Sequence, residues 1–428
     1  MRATLLALAL VLGTASAADI DYKRDIDFLL GEFETKAGHF FEQKEIDWPE
    51  VSNWARTEVK QIQTDADHLR LCTRLVARLK DGHARIKGAK VEWPSESQGR
   101  KWRHPKIGML YSGGKALVAS ADPTLGIPLG SEVLEIDDLP VVKWLEMKAD
   151  EWSDKRGYST RHHALHNAAV FGLGGWEGTT FKIKAALPGG KEITKTVIRD
   201  LEGETPRRTD FRTQLGKIEW LDDRRKVGFT KTSSGNGYIR LLKIPGDLPE
   251  LLDQILVSLK NVPGMVLDMR GNTGGGCDHR AVFSRFIEKG KFWGPVESTG
   301  ENPFAGPLVV IVDGGTLSAG ETVSGQFSED QRAYMIGTSP TAGMSSSKTT
   351  ITAPSGLFSA YFSVRSNKQR FNQGRGIEGI GVQPHEIITV RAEDLAAGKD
   401  TLVARAEELL STGYWPEVID YDGRTNSK

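Results

Sequence analysis

The sequence predicts an α/β fold: a core of βαβ units, preceded by a helical segment and a small β-rich module. Three observations predict it. First, short apolar runs ("GYIRLLKI", "GMVLDMR", "PLVVIV") alternate with helical patterns ("LPELLDQILVSLK", "DHRAVFSRFIEKG") between residues 237 and 330, the signature of parallel strands joined by right-handed crossovers. Second, residues 22–86 repeat apolar positions three and four apart, as amphipathic helices do. Third, residues 104–200 change to short strand-like runs punctuated by Gly and Pro.

At 428 residues the chain is long enough for two or three domains. With 39% apolar and 26% charged residues and a net charge of zero, it has the composition of a globular protein. No basic tail or Lys/Arg stripe offers a nucleic-acid surface. Residues 1–17, "MRATLLALALVLGTASA", carry one positive charge, an apolar stretch at residues 5–12 and an A-x-A ending. They read as a secretory signal peptide, so the mature protein is expected in the periplasm or outside the cell. No cysteine stands directly after the cleavage site, and no other run reaches bilayer length, so no stable membrane anchor is expected. Cys72 and Cys277 permit one disulfide or two free thiols.

Taken in order, residues 18–95 form the helical segment. "VSNWARTEVKQIQ" and "ADHLRLCTRLVARLK" are its clearest helices, with Asp65 as a start signal and Gly82 as the breaker. That places His83 on the exit turn of a helix. Residues 96–205 hold the strands "KALVAS", "SEVLEI", "TFKIKAAL" and "EITKTVI". Within them "GIPLGSEVLEIDDLPV" resembles a PDZ segment, and PDZ domains accept peptide ends by strand addition. "WSDKRGYSTRHHALHN" is an insertion longer than a minimal PDZ domain needs. Residues 206–228 are polar enough to be a linker, 229–412 form the βαβ core, and 413–428 are a tail.

Two segments of the core carry chemistry. "VLDMRGNTGGG" runs from a strand into a loop with four glycines in six positions, which can present backbone N–H groups without obstruction. It fails the Walker pattern, because Cys277 and Asp278 follow the glycines, and it fails G-x-G-x-x-G. An oxyanion-binding loop is the better reading. "VDGGTLSAGE" places Ser318 between an apolar strand and a helix. There it is either an N-cap or a nucleophile at the positive end of the helix dipole, with the Ala319 N–H aimed at a developing oxyanion.

Together "GYIRLLKI", "MVLDMRGNTGGG", "VDGGTLSAGE", "GIEGIGVQPHE" and "GKDTLVARAEELL" resemble the tail-specific, or C-terminal processing, serine protease family over residues 237–410. The resemblance implies a ClpP/crotonase-like core, a PDZ-like module, no cofactor, no metal and an extended polypeptide as substrate. It makes Ser318, in the S-A-x-E turn, the nucleophile, and Gly274 or Gly275 the second oxyanion donor beside Ala319. One branch of the family activates its serine with a lysine in a T-x-G-K segment, where this chain has Met344; Lys348 falls four residues late. The tricorn and retinoid-binding-like branch instead uses the histidine of L-x-D-G-H, which "LKDGHAR" matches with His83, and a glutamate before G-V-x-P, here Glu378. His385 stands where that pattern has an aspartate.

An imidazole base predicts activity that rises through the histidine range of pH. Because the resemblance includes retinoid-binding relatives, a non-catalytic carrier of apolar ligands or peptides is the alternative on the same fold. Cys277 with His279 as a thiol pair, His162, His163 and His166 as metal ligands, and Arg370 and Arg375 as carboxylate receptors are weaker candidates. The oligomeric state is not encoded in any of these patterns.

Overall fold

The computed structural model describes residues 21–91, 99–201, 214–221, 226–367 and 369–412. The expected signal peptide, the C-terminal tail and most of the expected linker lie outside them.

A seven-stranded sheet organises the core, its strands lying side by side in chain order: Glu219–Trp220, Val227–Lys231, Gly237–Leu241, Met265–Asp268, Leu308–Val312, Tyr334–Gly337 and Glu386–Ile387. The first three pair antiparallel and the rest parallel. Leu308–Val312 is buried at all five positions because both faces of the sheet are covered. Leu308, Val310 and Val312 point toward the helices Leu248–Ser258 and Ala319–Glu329, while Val309 and Ile311 point toward the helix Thr401–Thr412. The period-two alternation of a strand therefore feeds two cores at once.

Residues 99–201 hold a second, all-antiparallel sheet, with the strand Ile107–Ser112 at one edge. The expected insertion, residues 152–167, covers the end of the helix Val141–Lys155 and the first part of the helix Arg161–Phe171, which pack against each other.

The N-terminal helices Tyr22–Ala37, Trp48–Glu58 and Asp65–Ala77 do not close a core by themselves. Ile26, Leu29, Phe33 and Leu75 share one buried cluster with Ile351, Phe358 and Phe362 of the hairpin Ser347–Thr352/Ser359–Arg365. The strand Arg85–Lys87 pairs with that hairpin.

Two local readings are corrected. Thr64, not Asp65, caps the third helix, its hydroxyl accepting the Asp67 N–H at 3.2 Å. The helix ends at Ala77, and Lys80, not Gly82, takes the left-handed turn at φ +44°. Gly82 is glycine for another reason: a Cβ there would lie 2.7 Å from Met344 Sδ.

Candidate active site

Three chain segments converge at the C-terminal ends of the central strands. The first is the glycine loop after Met265–Asp268. Its root is fixed by Asp268, which accepts from Arg270 Nε at 2.9 Å and Tyr238 Oη at 2.6 Å, while Arg270 also pairs with Asp400 at 2.7 Å. Burial alone would raise the Asp268 carboxyl, but Arg240 and Arg270 hold it below the usual carboxylate range. Beyond this root, buried Asn272 accepts the Gly274 N–H at 2.8 Å and receives the Leu317 N–H on its backbone carbonyl. The Gly274 amide is thus already engaged, whereas the Gly275 N–H has no hydrogen bond to a described residue. Neither position tolerates a side chain: a Cβ on Gly274 would meet Ser318 Cβ at 2.7 Å, and one on Gly275 would meet the Ile244 carbonyl at 2.0 Å.

The second segment is the turn from Leu308–Val312 into the helix Ala319–Glu329. Ser318 sits at φ +59°, ψ −124°, a conformation that costs a non-glycine residue of order 1–3 kcal/mol. Glu321 holds it there. This fully buried carboxylate accepts the N–H groups of Ser318 (3.0 Å), Gly343 (2.7 Å) and Met344 (2.9 Å) and the Thr341 hydroxyl (2.7 Å). Burial pushes its carboxyl up to about 8 against those four donors. Ser318 Oγ faces the third segment.

That segment is the turn Asp81-Gly82-His83, which brings His83 Nε2 to 3.3 Å from Ser318 Oγ across 235 positions of sequence. Asp81, buried, accepts the His83 N–H at 2.8 Å and the Ser363 N–H at 2.7 Å, pinning the turn to the hairpin. Burial, helped by the nearby Lys348 and opposed by Asp81, pushes the His83 imidazole down to about 4. Lys348 itself is half-buried and lowered by burial, and it has no hydrogen bond to Ser318 among the described residues.

Glu378 lies behind the imidazole, fully buried. Its Oε1 accepts from Lys44 Nζ at 2.7 Å and Ser159 Oγ at 2.9 Å. Its Oε2 and His83 Nδ1 are both buried without a partner among the described residues. A ring nitrogen of His83 and carboxylate oxygens of Asp81 and Glu378 lie within 4.8 Å of one another. Burial raises the Glu378 carboxyl, while Lys44 opposes the rise. Ser318, Ala319, Gly274, Gly275, His83 and Glu378 are thus gathered at one place. Asp81, Lys44, Ser159, Asn272 and Lys348 join them; of these, sequence reasoning weighed only Lys348, as a base. Asp81 was legible in part, standing two residues before His83 where a side chain can accept a backbone N–H.

The weaker candidates find structural partners. Cys72 and Cys277 are free, and burial pushes the Cys277 thiol up to about 11, away from a reactive thiolate. His162 Nε2 bonds the Thr341 carbonyl at 2.6 Å, and no group of potential metal ligands among the described residues includes His162, His163 or His166. Arg370 pairs with Asp330 at 2.7 Å, and Arg375 Nε bonds the Asn372 carbonyl at 3.2 Å. His385 accepts the Met335 N–H at 2.8 Å and stacks on Tyr334.

Comparison with known proteins places these segments in context. Residues 235–388 match peptidase family S41. A carboxy-terminal-processing protease of Bartonella bacilliformis is 28% identical over 292 residues, covering 64% of this chain and 62% of that protein. A carboxyl-terminal-processing protease of Synechocystis is 25% identical over 251 residues, covering 54% of this chain and 56% of that protein. The matches thus span about three-fifths of these relatives' length. Among solved structures, mature CPAF complexed with lactacystin has the same fold, with a TM-score of 0.63, 13% identity, and coverage of 92% of this chain and 98% of that one.

Proposed function

We propose that this chain, whose residues 235–388 match peptidase family S41 and whose relatives are carboxy-terminal-processing proteases, is a serine endopeptidase acting on extended polypeptides through an acyl-enzyme on Ser318. The observation that carries this reading is the 3.3 Å approach of His83 Nε2 to Ser318 Oγ. An imidazole pushed down to about 4 is neutral at pH 7, which is the form a general base needs. His83 takes the hydroxyl proton as Oγ attacks the scissile carbonyl, then returns it to the leaving amine as the acyl-enzyme forms. A water then repeats the sequence and releases the new carboxyl terminus.

The oxyanion is assigned to the N–H groups of Gly275 and Ala319, because Asn272 already occupies the Gly274 amide. Glu378 keeps the imidazole oriented. His83 Nδ1 and Glu378 Oε2 are both buried without a hydrogen-bond partner among the described residues, and the two residues lie side by side. Met344, packed on Gly82 where the other branch has its lysine, leaves the histidine branch as the reading that fits. The β-rich module at 99–201 is taken as PDZ-like. A cavity of about 190 Å³ between it and the core is lined by Met109, Tyr111 and Phe171 on one side and by Thr273 and Leu317 on the other, and a polypeptide end would approach through it. Export rests on residues 1–17; among the described residues no helix is long and apolar enough to cross a membrane.

A fluorophosphonate probe tests the proposal. The folded chain should label, Ser318→Ala should not, and Ser324→Ala should label like the parent. Failure of the folded parent chain to label would favour a non-catalytic binding protein.

A further inference from the structure

The segment Arg156–Thr160 joins the two helices of the β-rich module; Tyr158 packs into the module's own core, while Gly157, Ser159 and Thr160 reach the segments that carry His83, Glu378 and Glu321. Gly157 lies against the Asp81 backbone so closely that a Cβ would come within 2.4 Å of the Asp81 carbonyl. Ser159, 5% exposed, accepts the Gly82 N–H at 3.0 Å and donates to Glu378 Oε1 at 2.9 Å. Thr160 Oγ1 donates to the Ala342 carbonyl at 2.9 Å, next to the Gly343 amide that Glu321 binds. The preceding helix is anchored to the N-terminal helices through Asp154, which pairs with Arg74 at 2.8 Å and Arg78 at 3.1 Å.

We infer that Ser159 is a positioning residue of the catalytic centre: its hydroxyl, supplied by the β-rich module, ties the His83 turn to Glu378. This inference rests on the peptidase reading for its kinetic consequences but not for its geometry. A serine hydroxyl both accepts and donates, and here both capacities are used on the two segments that must stay in register. Lys44 donates to the same Glu378 oxygen, so losing Ser159 leaves the carboxylate paired but without its hydroxyl link to the turn that carries His83. The module is therefore part of the working site as well as a candidate receiver of substrate. A displacement of its 156–160 segment would disengage the base.

The test compares Ser159→Ala and Ser159→Thr in the full chain, with turnover of an extended peptide and an NMR pH titration of the His83 ring as separate readouts. Ser159→Ala should lower kcat about 10- to 100-fold, part of the roughly 10²–10⁴ that a positioned general base supplies, with KM within about twofold. Its His83 midpoint should move down: Glu378, short of a donor, titrates higher and favours the imidazolium less. None of the charged residues facing that ring (Lys44, Asp81, Arg85, Lys348 and Glu378) is substituted in either variant, so the shift is read through Glu378 alone. Ser159→Thr, which keeps the hydroxyl, should restore most of both readouts. Parent-like kcat and midpoint in Ser159→Ala would overturn the inference, and so would a Ser159→Thr variant as impaired as Ser159→Ala. A parent chain that turns over no peptide, but whose His83 midpoint still responds to Ser159→Ala and not to Ser159→Thr, would sink the peptidase reading and leave the positioning role standing.

Discussion

His83 shows how environment retunes a side chain. An unperturbed imidazole titrates near 6.5, and the sequence alone predicts activity rising through that range. Burial first, and Lys348 second, bring it down to about 4. On the proposed mechanism the sign follows directly: a general base works when neutral, so a lower value extends activity toward acid. The acid limb of kcat/KM should fall near pH 4, and a limb near 6.5 would show that the ring is solvated in the working enzyme. Lys348 lies close enough to disfavour the imidazolium, which the sequence could not show. Lys348→Ala should leave plateau kcat within a few-fold of the parent while moving the acid limb upward, because a cation that disfavours imidazolium is gone. His83→Ala should cost about 10²–10⁴ in kcat at every pH. The reverse ranking, with Lys348→Ala the dead variant, would reinstate a lysine base.

At the scale of elements, the site is a set of turns whose backbones touch. Ser318 can sit at φ +59° because Glu321 gathers four donors from two segments, and the glycine loop can lie against it because Gly274 has no Cβ. Much of this was legible: "LDMRGNTGGG", "TLSAGE", "KDGH" and "GIEG" each picked out residues that the fold brings together. The choice between Gly274 and Gly275 was not legible, because it depends on where the Asn272 side chain turns. Lys44 and Ser159 were illegible for a similar reason. Each is an ordinary polar residue in a local pattern, and only the closing of segments more than 200 positions apart gives it Glu378 as a partner. Gly275→Ala should force the loop away from the Ile244 carbonyl and lower kcat by about 10²–10³, the typical loss for one oxyanion donor. Gly276→Ala, whose Cβ would meet nothing within 4 Å, should leave kcat near the parent value. Equal losses in both variants would mean that the loop tolerates no alanine anywhere and that the oxyanion assignment is misplaced.

Over the whole molecule, the boundary expected between a helical segment and a catalytic core cuts through a single hydrophobic cluster. Phe33 of the first helix packs edge-on against Phe362 at 4.8 Å, and both are buried with Leu29, Leu75 and Phe358. Phe362 belongs to the strand whose next residue, Ser363, donates its N–H to Asp81. The same strand pairs with Arg85–Lys87 just beyond His83. Periodicity found the helices but could not show that their apolar faces cover a hairpin some 300 residues later. The consequence is measurable. Phe33→Ala removes a buried aromatic ring at a cost of about 3–5 kcal/mol. Because that core holds the His83 turn, stability and reactivity should fall together. In a denaturant series, loss of tryptophan fluorescence and loss of fluorophosphonate labelling should coincide in the parent chain, and both midpoints should shift equally in Phe33→Ala. Labelling that survived the melting of the helices would mean that the serine and its base are held together without them, which the shared core does not allow.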